Sequence, residues 1–150
     1  MRISPTLLEE LIAHALEDPA NEVCGVIAVT AAEPGAAPDE GGVGGEGDGG
    51  ARAVRVLRAN NRYASPLRFE IEPKELLALS NTCEELGELG AIYHSHVRSA
   101  PYPSQTDINF AANWPGVEWV IVGLAADADP QVRSYLIENG QVREVALEVR

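Results

Sequence analysis

Two nearly continuous apolar runs constrain the fold of this chain more than any other feature. They are "EVCGVIAVT" at residues 22–30 and "GVEWVIVGLA" at residues 116–125. Runs of this length that are rich in Val and Ile are typical of strands buried inside a sheet. A chain of 150 residues that is 45% hydrophobic can bury a core of its own. We therefore expect one globular domain over residues 1–150.

Helical and strand patterns alternate along the rest of the chain. Ser4 and Pro5 are a cap and a first-turn residue, and they predict a helix over 5–17 with leucines on one face. Further helices are predicted at 73–87, where Pro73 begins the first turn, and at 104–113. This interleaving predicts an α/β fold, a single-domain mixed β-sheet flanked by helices. The other predicted strands are 52–59, 67–72, 90–96 and a hairpin over 131–149 that turns at Asn139-Gly140.

A glycine-rich, acidic stretch occupies residues 31–51. It has almost nothing to bury, so it predicts a flexible loop. It is not a domain boundary, because the strand before it needs a partner that comes after it. A lid or recognition insert is one interpretation, and a variable hairpin extension without catalytic consequence is the other, which we prefer.

Charge and composition exclude several classes of protein. The net charge is −12 and the sequence pI is about 4.5, which argues against a nucleic-acid binder because such proteins need a basic face. Two cysteines are too few for a disulfide scaffold. The N-terminal segment lacks a secretory pattern, and the longest apolar run is far shorter than the roughly twenty residues that span a bilayer. We therefore expect a cytoplasmic protein with no membrane or nucleic-acid partner.

The segment "IYHSHVRSAPYPSQTD" contains two of the three histidines of the chain. His94 and His96 lie two residues apart on a predicted strand, so their imidazoles point to the same face, as metal ligands would. An exposed polar strand end explains the pair equally well. Ser104 and Asp107 have the spacing of a helix capping box, but a first-turn carboxylate there also lies close enough to meet the histidine strand. The cap and ligand roles are compatible.

Two imidazoles and a carboxylate are a usual ligand set for a catalytic zinc, which leaves a position for water. Such chemistry also needs a carboxylate that is not itself a ligand and that can accept a proton. Glu22 lies at the mouth of the first buried strand, where an acid is costly unless it has a task. Glu70 and Glu72 are rivals, although their alternation with Phe69 and Ile71 predicts that they face solvent.

Together these residues resemble the motif of the JAMM (MPN+) metalloproteases. The resemblance covers residues 5–145 approximately and rests on Glu22 ahead of "VCGVI", His94-x-His96, Ser104 and Asp107. It implies a cytidine-deaminase-like (JAB1/MPN) sandwich and one zinc ion per chain held by the two histidines and Asp107. It further implies Glu22 as general base and acid, and Ser104 as the donor to the oxyanion.

The resemblance extends to short bacterial members of the family, including hydrolases that release cysteine from a small ubiquitin-like sulfur carrier. The shared segments are "EVCGV", "IYHSH", "YPSQTD" and "RSYLIENG". Many members have proline directly after the second histidine; this chain has Val97, and those short members lack the proline too. The implied activity is hydrolysis of an amide at the C-terminus of a ubiquitin-like or sulfur-carrier protein. Ser99 and Tyr102, beside the ligands, are candidate substrate contacts.

Three alternatives remain at this point. The chain could be a general peptidase of the same fold, or a non-catalytic scaffold of the kind that has lost its ligands. The presence of every motif residue argues against the scaffold. A zinc deaminase is disfavoured because the chain has no Pro-Cys-x-x-Cys ligand pair.

Overall fold

The computed structural model describes residues 1–31, 50–125 and 129–150. The predicted loop at 31–51 lies almost wholly outside them. The helices within these ranges are α1 (Pro5–Glu17), α2 (Pro73–Leu86) and α3 (Gln105–Ala111). None of them is long and apolar enough to cross a membrane. The strands are β1 (Arg2–Ile3), β2 (Cys24–Thr30), β3 (Arg52–Ala59), β4 (Glu88–His96), β5 (Glu118–Gly123), β6 (Gln131–Glu138), β7 (Gln141–Val145) and β8 (Glu148–Val149).

The strands form one mixed sheet in the order β7-β6-β5-β4-β2-β3-β1-β8. β4 and β5 are parallel, and β1 is parallel to both β3 and β8. The remaining neighbours are antiparallel. Strands β2, β4 and β5 occupy the centre of the sheet, and the two apolar runs that predicted buried strands supply β2 and β5. The predicted α/β fold with a mixed sheet is therefore confirmed.

Helices cover both faces of the central strands, which explains why these strands are apolar on both sides. On one face, α1 buries Leu11 and Ala15 against a cluster that includes Ile27 and Tyr93. The opposite face carries Leu76 and Cys83 of α2 and Ala111 of α3, packed against a second cluster. We call the first the α1 face and the second the α2/α3 face. Ile92 belongs to the α2/α3 face, so strand alternation places His94 and His96 on that face as well.

The strand predicted at 67–72 is wrong, because no strand forms between β3 and α2. One side chain accounts for the difference. Asn61 Nδ2 donates to the carbonyl of Arg68, and its Oδ1 accepts from the N–H of Glu70. These bonds use backbone groups that a ladder would need. The alternation that indicated a strand is still real, since Ile71 is buried and Phe69 packs against the α2/α3 cluster.

Two tight features of the fold depend on glycine. Asn139 and Gly140 both have positive φ, 51° and 74°, which confirms the predicted two-residue hairpin turn between β6 and β7. At Gly25, in the centre of the sheet, a Cβ atom would lie 2.4 Å from both the carbonyl oxygen of Leu57 and the ring of Tyr93. Gly25 therefore permits the close packing of β2 against the tyrosine of β4.

Candidate metal centre

His94 and His96 lie at the end of β4, on the α2/α3 face. Their Nε2 atoms are 3.0 Å apart. His94 is completely buried and His96 is 6% exposed. Because β4 is paired with β2 on one side and β5 on the other, the backbone that carries both imidazoles is held in the interior of the sheet. The shared face predicted from the spacing is confirmed.

Asp107 reaches the same point from the first turn of α3. Its Oδ2 atom lies 3.2 Å from His94 Nε2 and 3.7 Å from His96 Nε2. The predicted capping box also forms: the N–H of Asp107 donates to Ser104 Oγ, and the N–H of Ser104 donates to Asp107 Oδ2. One carboxylate therefore caps its helix and faces both imidazoles, so the cap role and the ligand role are compatible in this structure.

The three atoms fit a tetrahedral cation. Bonds of about 2.0–2.2 Å at the tetrahedral angle separate neighbouring ligand atoms by about 3.3–3.6 Å, and the observed separations are 3.0, 3.2 and 3.7 Å. His96 Nδ1 donates to the carbonyl of Ala100 at 2.8 Å, a tautomer that leaves Nε2 with a lone pair for a metal. The donor set, two imidazoles and a carboxylate, is one that zinc accepts.

Packing holds the ring of His94. Its Nδ1 is buried without a hydrogen-bond partner within the described ranges. Phe69 stacks on the imidazole, with ring centroids 4.4 Å apart and planes 24° from parallel. Trp119 meets the imidazole edge-on, with ring centroids 6.3 Å apart. The ring orientation of His94 is therefore set by aromatic neighbours, whereas that of His96 is set by a hydrogen bond.

The electrostatic environment favours the ligand forms of two of these groups. Burial lowers the pKa of His94 and so favours its neutral imidazole. Burial alone would raise the pKa of Asp107, but the neighbouring imidazoles of His94 and His96 and the hydrogen bond from the Ser104 N–H hold it well below its usual range. For His96 burial opposes protonation, but the nearby Asp107 carboxylate and the hydrogen bond to the Ala100 carbonyl outweigh it and raise the pKa. A proton therefore competes with a metal mainly at His96.

Glu22 lies two residues before the start of β2 and is 5% exposed. One of its carboxylate oxygens and ring nitrogens of His94 and His96 lie within 4.8 Å of one another, so geometry alone makes it a second candidate ligand. Burial is the main reason that its pKa is raised to about 7; Asp107 adds to the rise and His96 opposes it. A carboxyl group with this pKa exchanges a proton readily near neutral pH.

The backbone of Glu22 is held by the segment between β3 and α2. Its N–H donates to the carbonyl of Ser65, and its carbonyl accepts from Asn61 Nδ2. The next residue, Val23, donates its N–H to the hydroxyl of Ser95, which lies between the two histidines on the opposite face of β4. Three hydrogen bonds therefore hold the chain that carries Glu22, and the one between Val23 and Ser95 places it relative to the histidine strand.

The rival acids lie elsewhere. Glu72 is exposed at the start of α2, as predicted. Glu70 is half-buried and lines a groove of about 220 Å³ beside the site, which we call the Asp107 groove. Its lining residues are Tyr63, Arg68, Phe69, Glu70, Thr106, Asp107 and Phe110.

The candidate substrate residues are distributed around the site. Ser104 is exposed at the start of α3, and its hydroxyl accepts one hydrogen bond while keeping a proton to donate. Ser99 is exposed in the loop that follows His96, and within the described part of the chain it makes no hydrogen bond. Tyr102 is 54% exposed and lines a different groove with Arg133 and Tyr135, not the Asp107 groove. The roles of Ser99, Tyr102 and Ser104 stay predictions.

Sequence reasoning missed Asn61, Ser95 and Tyr135. The Asn60-Asn61 pair after a strand is a turn signal that could have indicated Asn61, since asparagine side chains often bond to nearby backbone. Ser95 is a polar residue in a buried strand, which requires a partner. Nothing local indicates Tyr135, whose partner Pro101 is 34 residues away.

Comparisons with known proteins agree with this geometry. Residues 4–138 match the family described as prokaryotic homologs of the JAB domain. The CysO-cysteine peptidase of Mycobacterium tuberculosis is 30% identical over 148 residues, which cover 98% of this chain and 89% of that protein. A probable TtuB-protein conjugate cleaving protease of Thermus thermophilus is 35% identical over 146 residues, covering 95% of this chain and 78% of that protein.

Solved structures support the same fold. A JAB1/MPN domain protein from Archaeoglobus fulgidus, AF2198, superimposes with a TM-score of 0.56 at 18% identity, covering 99% of this chain and 98% of that one. At this identity the likeness concerns the fold alone, and it confirms the expected JAB1/MPN sandwich. With the family match over most of its length, the chain belongs to the prokaryotic JAB family, of the JAMM/MPN+ type, and is a hydrolytic enzyme.

Proposed function

We propose that this protein is a zinc-dependent hydrolase that cleaves an amide at the C-terminal end of a ubiquitin-like or sulfur-carrier protein, with release of cysteine from such a carrier as the reaction we favour. One observation carries the proposal. His94 Nε2, His96 Nε2 and Asp107 Oδ2 converge with ligand-like spacing, and the carboxyl group of Glu22 faces the same point.

His94, His96 and Asp107 would hold one zinc ion per chain. Asp107 is preferred to Glu22 as the third ligand because its Oδ2 lies 3.2 and 3.7 Å from the two imidazole nitrogens and is fixed there by the capping box. The lowered pKa of Asp107 keeps it ionised, as a ligand must be. When bound, such an ion acts as a Lewis acid and lowers the pKa of a coordinated water to about 7.

Glu22 would move the proton. As a carboxylate it accepts a proton from the attacking water, whose oxygen forms a bond to the substrate carbonyl carbon. The amide C–N bond then breaks, and Glu22 passes the same proton to the departing amine, which restores the carboxylate. The pKa of about 7 suits both halves of this cycle because neither protonation state is strongly favoured at neutral pH.

Ser104 would donate its hydroxyl hydrogen to the carbonyl oxygen as negative charge develops there. Its hydroxyl is exposed and is anchored through the capping box to Asp107, so it is fixed relative to the ligands. A positioned donor of this kind typically contributes about 10²–10³ in kcat. Ser99 and Tyr102 remain proposed substrate contacts on the loop between β4 and α3.

The substrate class rests on the relatives and on the shape of the site. The Mycobacterium relative is named for a CysO-cysteine substrate and the Thermus relative for TtuB-protein conjugates. The Asp107 groove lies open beside the ligands and is lined partly by Tyr63, Phe69 and Phe110. An open groove suits an extended chain end that approaches from outside. We also propose a single domain over residues 1–150 and a cytoplasmic location, as the sequence predicts.

The test compares three substrates with two variants. Purified enzyme is incubated with a carrier–cysteine adduct, a carrier–lysine isopeptide conjugate and a plain peptide, and products are identified by mass spectrometry. Glu22→Gln should keep zinc but lose turnover by about 10²–10⁴-fold, because glutamine cannot accept a proton. Glu72→Gln, the same change at an exposed acid, should leave both unchanged.

Each outcome separates the rival functions. Cleavage of the carrier–cysteine adduct alone supports the favoured reaction. Equal cleavage of the plain peptide would make the protein a general peptidase of this fold. Loss of zinc together with activity in Glu22→Gln would contradict the separation of ligand and base. No cleavage of any substrate by the zinc-loaded protein would favour the scaffold alternative.

A further inference from the structure

The loop between β4 and α3, residues 97–103, is fastened to strands β5 and β6. The hydroxyl of Tyr135 in β6 donates to the carbonyl of Pro101. The ring of Tyr135 also packs edge-on against the ring of Tyr102, with ring centroids 5.5 Å apart. Gly123 at the end of β5 lies against Pro101 so closely that a Cβ atom there would be 3.0 to 3.2 Å from the proline ring. Three contacts therefore fix the middle of this loop.

The same loop supplies the hydrogen bond that orients His96. The carbonyl of Ala100 accepts from His96 Nδ1 at 2.8 Å and from the N–H of Tyr102 at 2.7 Å. This carbonyl belongs to the planar peptide group that joins Ala100 to Pro101. Because the proline ring fixes φ of Pro101, only its ψ separates the Pro101 carbonyl from the Ala100 carbonyl. Fixing the Pro101 carbonyl therefore restricts the Ala100 carbonyl to movement about that one bond.

The hydrogen-bond partner of Tyr135 lies far from it in the sequence. Tyr135 is 3% exposed, so its hydroxyl needs a hydrogen-bond partner. That partner is the carbonyl of Pro101 in the loop and not a residue of its own strand. Many members of the JAMM family carry proline directly after the second histidine, and a proline ring would fix φ at the start of this loop. This chain has Val97 there. The contacts from β5 and β6 supply a constraint from a distance.

We propose that Tyr135 is a positioning residue for the metal centre. Through Pro101 and Ala100 it keeps the imidazole of His96 in the tautomer with the proton on Nδ1 and with Nε2 aimed at His94 and Asp107. The inference rests on the proposed metal site, and it assigns to a residue of the C-terminal hairpin a part in metal binding that its position in the sequence does not indicate.

The test is Tyr135→Phe, which removes the hydroxyl and keeps the ring against Tyr102. Nitrogen-15 NMR of the imidazoles in metal-free protein reports the tautomer of His96, and competition with a chromogenic chelator gives the zinc dissociation constant. We expect His96 to lose its single tautomer, with His94 unchanged, and the dissociation constant to rise about tenfold, at the lower end of what removing a partner of a ligand causes.

Tyr93→Phe is the matched control. It also removes a buried tyrosine hydroxyl with a hydrogen-bond partner, His14 Nδ1 at 2.7 Å, but on the α1 face of the sheet. It should leave the His96 tautomer and the zinc dissociation constant unchanged. An equal rise in the dissociation constant in Tyr93→Phe would mean that loss of stability alone weakens zinc binding, and it would overturn the proposal.

An unchanged His96 tautomer and unchanged zinc affinity in Tyr135→Phe would also overturn it. If Tyr135→Phe fails to fold, Gly123→Ala pushes on Pro101 from the other side, and the same two readouts then decide. The outcome is separable from the proposed function. Wild-type protein that binds no zinc would refute the metal centre, while the tautomer measured without metal would still decide the role of Tyr135.

Discussion

Two loops flank the candidate metal centre, and they are held in different ways. The segment between β3 and α2 is organised from within by Asn61, whose amide makes bonds to the backbone at Glu22, Tyr63, Arg68 and Glu70. The loop at 97–103 is organised from outside, by Tyr135 and Gly123. The first holds the backbone of the proposed base, Glu22, and stacks Phe69 on His94, whereas the second orients His96. The comparison teaches that the proposed base and the proposed ligand His96 are positioned by different parts of the chain.

Asn61→Ala should disturb the segment between β3 and α2 and leave the loop at 97–103 intact. It is the substitution from which we expect the largest effect. The carbonyl of Glu22 loses its side-chain donor, and a misplaced base costs up to about 10²-fold in rate. We expect kcat to fall about 10–100-fold with zinc content unchanged, because Asn61 bonds to none of His94, His96 and Asp107. Steady-state kinetics and elemental analysis of the same preparation check this.

Asn60→Ala is the matched control for that experiment. Asn60 is the sequence neighbour, and its hydrogen bond to Glu75 comes from the backbone N–H and survives the substitution. It should retain wild-type kcat. A zinc content that falls with kcat in Asn61→Ala would show that the positions of the proposed base and of the proposed ligand His96 are not independent.

Lowering the pH should weaken zinc binding through His96, the residue that the loop at 97–103 orients. The nearby Asp107 carboxylate and the hydrogen bond to Ala100 overcome the effect of burial and raise the pKa of His96, so this imidazole is the proposed ligand that protonates first as the pH falls. A protonated imidazole cannot bind metal, so zinc affinity should decline by about tenfold per pH unit below the pKa of His96. Chelator competition between about pH 8 and about pH 5 measures this; an affinity that stays constant over that range would contradict it.

Phe69→Leu probes the contact between the segment that joins β3 to α2 and the proposed ligand His94, and it should have the smallest effect. The ring of Phe69 stacks on His94, and losing the aromatic contact costs about 0.5–1.5 kcal/mol. We expect the zinc dissociation constant to rise by only about two- to tenfold, because β4 still holds the His94 backbone. A complete loss of zinc would mean that packing, more than the strand, positions His94.

The parts of the molecule that could be predicted are those with a strong period or a demanding chemistry. The continuous apolar runs identified β2 and β5 because only a strand covered on both faces tolerates them. The capping box at Ser104 and Asp107 carries its own spacing, and it forms as expected. Glu22 stood out because an acid at the start of a buried strand is costly.

The rest depends on contacts that no local pattern records. Residues 67–72 alternate like a strand, yet the side chain of Asn61 takes the backbone groups that a ladder would need. β1 has only two residues, too few for a period to be visible. Tyr135 meets Pro101 only because the hairpin folds back beside β5. The residues proposed as ligands could therefore be picked out from the sequence, whereas the groups that hold them in place could not.

The central claim is that Asp107 binds the metal and Glu22 does not. Elemental analysis of purified wild type, Asp107→Ala and Glu22→Gln tests it most directly. We predict about one zinc per chain in the wild type and in Glu22→Gln, and a clear loss in Asp107→Ala. Zinc retained in Asp107→Ala but lost from Glu22→Gln would exchange the two roles. No zinc in the wild type, even after addition to the folded protein, would reduce His94, His96 and Asp107 to a strand end and a helix cap.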